Sequence, residues 1–168
     1  MPRPRLAIRW DKMDWILEFL ALVGLFLAIT QPIYHLTLIP DTVPQHFNMQ
    51  GDADDFGRKW VIWFLVALGI FAHLGMTVIN RYPHKFNYSR AITSENAQHQ
   101  YTLATKLLRS IKVILVWSLA YIIGAVIQTA LETSDGLNSA FVSTLLGAIV
   151  IISTSFLYAS SRKESAHN

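Results

Sequence analysis

The 168-residue chain contains no cysteine, and only 15% of its residues are charged. The absence of cysteine excludes disulfide bonds, thiolate metal sites and cysteine nucleophiles. The formal net charge of +3 is small, and the cations lie near the ends of apolar runs, which argues against a nucleic-acid partner. The catalytic patterns G-x-S-x-G and H-E-x-x-H and the glycine-rich phosphate loops are missing as well. These absences favour a non-enzymatic protein.

Long apolar blocks dominate what is present, and apolar residues make up 52% of the chain. A block of about 20 apolar residues is typical of a membrane-spanning helix, because that length at 1.5 Å per residue crosses the hydrocarbon core. Lipid offers the backbone no hydrogen bonds, so such a block is predicted to be helical. Four spans are predicted, over residues 14–34, 60–80, 109–130 and 137–160. The predicted fold class is all-α: a single polytopic membrane domain over residues 1–168, forming a four-transmembrane-helix bundle.

The first apolar run follows four cations and therefore has to be compared with a signal peptide. Residues 15–33 form a run longer than the roughly 7–15 residues of a usual signal-peptide core. No small-x-small cleavage site follows this run. We expect an uncleaved first helix.

The distribution of lysine and arginine predicts the orientation of these spans. Twelve of the 14 cations lie in the N-terminal tail, in the middle segment 81–108 with its flank, and in the C-terminal tail. Only Arg58 and Lys59 lie in the loop over residues 35–59. The positive-inside rule then places both termini and the middle segment in the cytoplasm, and the 35–59 loop outside. The predicted partner is the lipid bilayer of a cytoplasmic membrane.

The polar stretch Pro40–Lys59 is the part of the sequence that predicts a binding site. Pro40 and Pro44 favour extended backbone at the residues before them, and residues 48–51 and 54–57 have the composition of turns. Loops of this length without regular structure of their own are usually functional. We expect an ordered lid on the outer helix ends that binds a peptide, a small ligand or a metal ion.

A divalent metal ion is the one cofactor that the loop suggests, and His46, Asp54 and Asp55 are its candidate ligands. Imidazole and carboxylate groups suit zinc and similar ions, although their spacing here matches no known motif. The calcium-loop pattern fails, because aromatic residues occupy two of its ligand positions. The alternative is that the aspartates build turns and pair with Arg58 and Lys59.

Glu18 in the first predicted span and His73 in the second are ionisable residues within apolar runs. Both lie one to two turns from the cytoplasmic end, so a contact between them is one prediction. Ionisable groups within spans mark functional sites, because burying them costs free energy. The alternative is that Glu18 reaches the interface and His73 hydrogen-bonds a neighbouring helix.

The residues are also compatible with two further functions. One is a membrane-embedded, metal-dependent hydrolase that uses His46 and the loop aspartates. The other is an accessory subunit of a membrane transport complex, which would pack against a membrane-protein partner through rows of small residues such as Ser143 and Gly147.

The stretch LIPDTVPQHFNMQGDADDFGRK resembles the signature of a bacterial membrane protein family called domain of unknown function 1648. The cytoplasmic stretches YPHKFNY and TSENAQHQY are also similar to members of this family. The resemblance implies a ligand-binding loop formed by Pro40, Pro44, His46, Asn48, Gly51, Asp54, Asp55, Gly57 and Lys59. The best-understood relatives are longer immunity proteins against a sporulation-delaying toxin, so the resemblance implies an immunity-like or sensing role in a bacterial inner membrane. This chain corresponds to their loop-bearing module.

Overall fold

Four long helices form most of the structure, a computed structural model that describes residues 3–161. All four helices are long and apolar enough to span a membrane. The elements in chain order are α1 (Lys12–Tyr34), β1 (Thr42–Phe47), β2 (Ala53–Arg58), α2 (Trp60–Ile79), a short 3-10 helix (Pro83–Lys85), α3 (Ala97–Ala130) and α4 (Phe141–Ser161). The four predicted helices are therefore confirmed. The C-terminal cations used to predict orientation, Arg162 and Lys163, lie outside the described residues.

The all-α prediction is wrong in one place, because the 35–59 loop contains an antiparallel hairpin of β1 and β2. Thr42 pairs with Arg58 at its open end and Phe47 with Ala53 near its turn. The predicted extended backbone around the prolines is present as β1. Aspartate and glycine in β2 are poor strand formers, so the pairing depends on the turn and on packing more than on local propensity. Val43 supplies that packing, since it is fully buried.

Helix α3 is the centre of the fold and packs against the three other helices. Its contact with α1 is the most extensive, whereas α4 buries only Ser160. The hydrophobic core lies between α1, α2 and α3 and continues to the hairpin. Its buried members are Ala28, Ile39, Val43, Ile62, Val66, Ala120, Ile123, Val126 and Ile127. The hairpin is therefore fixed on the ends of the helices.

Helix α3 extends beyond its predicted span, as the helical pattern from residue 93 to residue 108 predicts, whereas helix α4 begins later than predicted. Helix α3 has 34 residues, and it begins at Ala97 inside the segment predicted to be cytoplasmic. At 1.5 Å per residue it is about 50 Å long, so its polar first turns extend beyond a hydrocarbon core of about 30 Å. Helix α4 begins at Phe141, not at residue 137, because Asn138 forms a turn in which its Oδ1 accepts the N–H of Ala140 at 2.9 Å.

Candidate functional site

His46 and Asp54 face each other across the hairpin, with His46 Nδ1 2.5 Å from Asp54 Oδ1. Both side chains are exposed. Asp55 is opposite His46 in the strand register, but its carboxylate accepts the N–H of Phe56 at 3.0 Å. Within residues 3–161 no group of three or more His, Cys, Asp or Glu side chains is placed to hold a metal ion. Two exposed ligands fall short of the three or four that a zinc site uses.

Asn48 builds the turn of the hairpin. Its Oδ1 accepts the backbone N–H of Gln50 at 2.9 Å and of Asp52 at 3.0 Å. Its Nδ2 donates to Asp52 Oδ2 at 3.3 Å. This is the local side-chain bonding that makes asparagine a turn residue. The predicted ligand residue Asn48 therefore uses its amide to shape the loop.

Lys59 and Gly57 also have contacts within the loop. Lys59 Nζ lies 2.8 Å from Asp41 Oδ1, and its hydrogen bond lowers the pKa of the Asp41 carboxyl group. Gly57 lies beneath the side chain of Gln45, where a Cβ would come within 2.2 Å of Gln45 Nε2. Both residues thus hold the hairpin together.

The two prolines of the loop have different surroundings. Pro44 is fully buried in β1 beside Val43, whereas Pro40 is exposed just before the strand. Pro44 therefore contributes to the packing of the hairpin on the helices. Neither proline lines the polar cavity at this end of the bundle.

The tip of the hairpin is bonded to the loop between α3 and α4. The N–H of Leu137 donates to Gly51 O at 2.9 Å, and Asp52 forms an isolated antiparallel bridge with Gly136. Gly51 has φ +96°, and a Cβ there would lie 2.0 Å from Leu137 O, so no other residue fits without a shift of the backbone. Two loops far apart in sequence therefore form one cover over the ends of α1 and α3.

Beneath this cover lies a polar cavity of about 410 Å³, which we call the outer cavity. It is lined by Gln31, Gly51, Asp52, Ala120, Tyr121, Gly124, Ala125, Gln128, Ser134, Asp135, Gly136, Leu137 and Asn138. Gln31 Nε2 donates to Leu27 O at 3.1 Å and to Ala120 O at 3.0 Å, which fixes the amide between α1 and α3. Gly124 gives this amide room, because a Cβ there would lie 2.6 Å from Gln31 Oε1.

The outer cavity is negatively charged and rich in hydrogen-bonding groups. Asp52 and Asp135 supply carboxylates, and no lysine or arginine is among its lining residues. The hydroxyl of Tyr121 accepts the N–H of Asn138 at 3.0 Å, and the side-chain oxygens of Gln31 and Gln128 are further hydrogen-bond acceptors of the lining residues. The arrangement suits a small ligand that carries positive charge and hydrogen-bond donors. From the sequence, Gln31 and Gln128 are two amides near the outer ends of spans; nothing in their spacing shows that they share a cavity.

At the opposite end of the bundle, three acidic residues of the α1 end face three basic residues of α3, a set that we call the inner ladder. Arg109 Nη1 donates to Asp14 Oδ1 at 2.9 Å, and both side chains are almost fully buried. The members of the inner ladder are Asp11 with Lys106, Asp14 with Arg109, and Glu18 with Lys112. In the sequence, the three acidic residues and the three basic residues each recur every three or four positions. This spacing could have predicted the inner ladder.

The predicted contact between Glu18 and His73 is replaced by an ion pair of the inner ladder. Its Oε2 lies 2.5 Å from Lys112 Nζ, so Glu18 is paired with α3 and not with His73. His73 is buried on α2, and its Nδ1 has no hydrogen-bond partner among the described residues. Lys112 Nζ also donates to Thr77 Oγ1 at 2.9 Å, and Thr77 in turn donates to His73 O at 2.7 Å. The ion pair therefore connects all three core helices.

The hairpin lies in the part of the chain that is similar to known proteins. Residues 21–70 match the family described as domain of unknown function (DUF1648). A protein of the archaeon Archaeoglobus fulgidus, described as "Uncharacterized protein", is 33% identical over 76 residues, which cover 40% of this chain and 42% of that protein. The chain thus spans less than half of the length of this relative. No solved structure gives a significant match. The family match covers 50 of the 168 residues, namely the second half of α1, the whole hairpin and the first half of α2.

Proposed function

We propose that the chain is an integral membrane protein that crosses the bilayer four times, with both termini in the cytoplasm and the hairpin outside. The four apolar helices support this, and so does the uneven distribution of lysine and arginine. Large apolar side chains also point away from the core on every helix: Phe19, Phe71, Trp117 and Ile151 are each at least 40% exposed. Such surfaces are stable in contact with lipid chains.

We infer further that the outer cavity binds a small organic ammonium compound from the external side. One observation carries this: the hairpin tip is bonded to the α3–α4 loop over a cavity that has two carboxylates and no cation in its lining. An ammonium group would interact favourably with Asp52 and Asp135, and its N–H groups would find amide and hydroxyl acceptors. A protein that senses or sequesters such a ligand needs no catalytic residues.

The experiment is thermal unfolding of the purified full chain in detergent, with putrescine as the probe and glycerol as the neutral comparison. Putrescine is expected to raise the midpoint of unfolding, and Asp135→Asn should weaken that rise several-fold. Asp55→Asn is the matched control, because Asp55 is an exposed hairpin carboxylate outside the cavity lining. An equal rise in the wild type and both variants would mean non-specific charge binding, and no rise would reject an ammonium ligand.

A second candidate function is recognition of an extended peptide along the hairpin. Among the described residues β2 pairs only with β1, so its other edge is open. Asp54, Asp55 and Phe56 are exposed along this strand, and a cationic peptide could add to it as a third strand. A fluorescently labelled peptide of alternating lysine and valine should then bind. The same peptide with N-methylated backbone amides should not, and equal binding of the two would exclude strand addition.

The contacts among the described residues add little support to three other predicted functions: a hydrolase, an accessory subunit and an immunity protein. A metal-dependent hydrolase would need more than the exposed pair of His46 and Asp54. An accessory-subunit role stays a prediction: a Cβ added at Gly147 would have no neighbour within 4 Å, so this face of α4 is open to lipid or to another helix. The immunity role that the family resemblance implies also stays a prediction.

A further inference from the structure

We propose that a second cavity, at the cytoplasmic end of the bundle, binds the phosphate-bearing headgroup of an anionic phospholipid. This depends on the membrane-spanning part of the proposed function and is independent of the outer cavity. The inner cavity has a volume of about 320 Å³ and lies between residues 6–10, the end of α2 and the first half of α3. Its polar lining consists of Glu18, Thr77, Asn80, Arg81, Thr105 and Arg109.

Polar atoms without partners show that the inner cavity is built for a polar guest. Arg109 is 4% exposed, and its Nη1 is bonded to Asp14, but its Nε–H has no partner among the described residues. Asn80 Oδ1 is likewise buried without a hydrogen bond. Glu18 Oε2 is paired with Lys112 at 2.5 Å, so the unpaired atoms of the lining belong to Arg109 and Asn80. Buried polar groups are nearly always hydrogen-bonded, because an unpaired one destabilises the fold.

These atoms fit a guest with both an anionic oxygen and hydrogen-bond donors. The free Nε–H of Arg109 requires an acceptor, whereas Oδ1 of Asn80 requires a donor. A phosphate oxygen serves the first, and the hydroxyl or ammonium groups of a phospholipid headgroup serve the second. Inorganic phosphate also has P–OH donors, but it would leave the apolar side of the cavity without contact.

The charge around the inner cavity favours a guest with one negative charge. Asp14 and Glu18 neutralise Arg109 and Lys112 in the inner ladder. Arg81 has no acidic partner within ion-pair distance among the described residues, so it leaves one positive charge in the lining. A phosphodiester carries one negative charge and matches this balance.

The position of the inner cavity matches the level of lipid headgroups. Glu18 lies six residues beyond the start of α1 at Lys12, which is about 9 Å along the helix. The other side of the cavity is formed by Leu6, Ala7, Ile8, Trp10 and Pro83, which offer apolar contact to the glycerol and first acyl carbons. The Trp10 ring also lies 4.5 Å from the Arg109 guanidinium, which keeps that side chain in place.

The test is native mass spectrometry of the full chain in detergent with dioleoylphosphatidylglycerol or dioleoylphosphatidylcholine. The wild type is expected to retain phosphatidylglycerol at least five-fold better, since phosphatidylcholine has no net charge and no hydrogen-bond donors. Arg81→Gln should abolish this preference. Arg90→Gln, which removes an exposed cation that does not line the cavity, should preserve it.

A parallel measurement distinguishes a lipid from free phosphate. Millimolar inorganic phosphate should raise the unfolding midpoint of the wild type less than phosphatidylglycerol does. A larger rise with phosphate, lost in Arg81→Gln, would identify free phosphate as the source of the anion. Equal retention of the two lipids, or a preference that Arg81→Gln leaves intact, would overturn the proposal. None of these outcomes depends on putrescine binding at the outer cavity.

Discussion

Gly51 has a backbone conformation that an L side chain rarely adopts, with φ +96°, and its carbonyl holds the loop at Leu137. Gly51→Ala adds the strain of a left-handed residue, about 1–2 kcal/mol, and drives a Cβ into the backbone of that loop. We expect the unfolding free energy to fall by about 2 kcal/mol or more in denaturant titrations. Gly75→Ala is the control, because nothing lies within 4 Å of a Cβ there and alanine favours helix. Equal losses in both variants would contradict the role of the tip.

The buried and the exposed ion pairs of the inner ladder contribute differently to the free energy of unfolding. Asp14→Asn leaves the Arg109 charge buried without its counterion, and breaking such a pair costs about 3–5 kcal/mol. The Asp11 carboxylate is half exposed, so solvent screens its pair with Lys106 and the loss in Asp11→Asn should be far smaller. Chemical denaturation in detergent measures both. Similar losses would mean that burial does not set the energy of these pairs.

Asp41 makes the stability of the hairpin sensitive to acid. Its pKa is lowered from 3.8 by the hydrogen bond from Lys59. A carboxyl group with a depressed folded-state pKa stabilises the fold above its unfolded pKa, and this contribution disappears as the pH falls through the folded pKa. Stability measured by hairpin hydrogen exchange should therefore decrease below about pH 4, given the usual aspartate range. The decrease should be smaller in Asp41→Asn, and an unchanged decrease would assign it to other carboxylates.

Among the elements, the helices could be predicted and the hairpin could not. Continuous apolar runs such as Trp60–Ile79 specify a helix wherever lipid surrounds them, so hydropathy alone suffices. Strand β2 reads ADDFGR, a sequence with little strand propensity, and it is specified by the Asn48 turn and by the packing of Val43 on the helices. Those are tertiary contacts, which a linear pattern does not display.

The inner ladder was missed for a similar reason. Lysine and arginine near span ends predict orientation, and Lys106, Arg109 and Lys112 are treated there as cytoplasmic charge. Their pairing with α1 requires knowing that α1 and α3 are neighbours, although they are almost 100 residues apart in sequence. The outer cavity likewise depends on two distant loops meeting at Gly51 and Leu137.

Helix α4 depends on a small number of polar contacts for its attachment. Ser160 Oγ donates to Gln100 Oε1 at 2.7 Å, and Gln100 Nε2 donates to Ser160 O at 3.2 Å, both in buried positions. Ser160→Ala should leave the Gln100 amide partly unsatisfied, at a cost of about 1–3 kcal/mol. Amide hydrogen exchange in the second half of α4 should rise. Ser161→Ala removes only a bond to Tyr158 O and should not raise it, so an equal rise would contradict this anchoring role.

Two polar cavities lie at opposite ends of the apolar bundle. The DUF1648 segment forms the hairpin and the parts of α1 and α2 next to it, so it contributes mainly to the outer end. Helix α3 runs from one end to the other and contributes Arg109 to the inner cavity and Tyr121 to the outer one. We propose that these two ends face different compartments and that the outer cavity is open to the outside.

Labelling of introduced cysteines in intact cells measures this orientation, because the chain contains no cysteine of its own that could react. The positions are Gln50→Cys at the hairpin tip, Asp135→Cys beside the outer cavity and Glu95→Cys in the middle segment, all of them exposed. With a membrane-impermeant maleimide, the first two should react in intact cells, and Glu95→Cys should react only after the cells are lysed. Labelling of Glu95→Cys in intact cells, with Gln50→Cys and Asp135→Cys protected, would contradict the proposed orientation and the external access of the cavity.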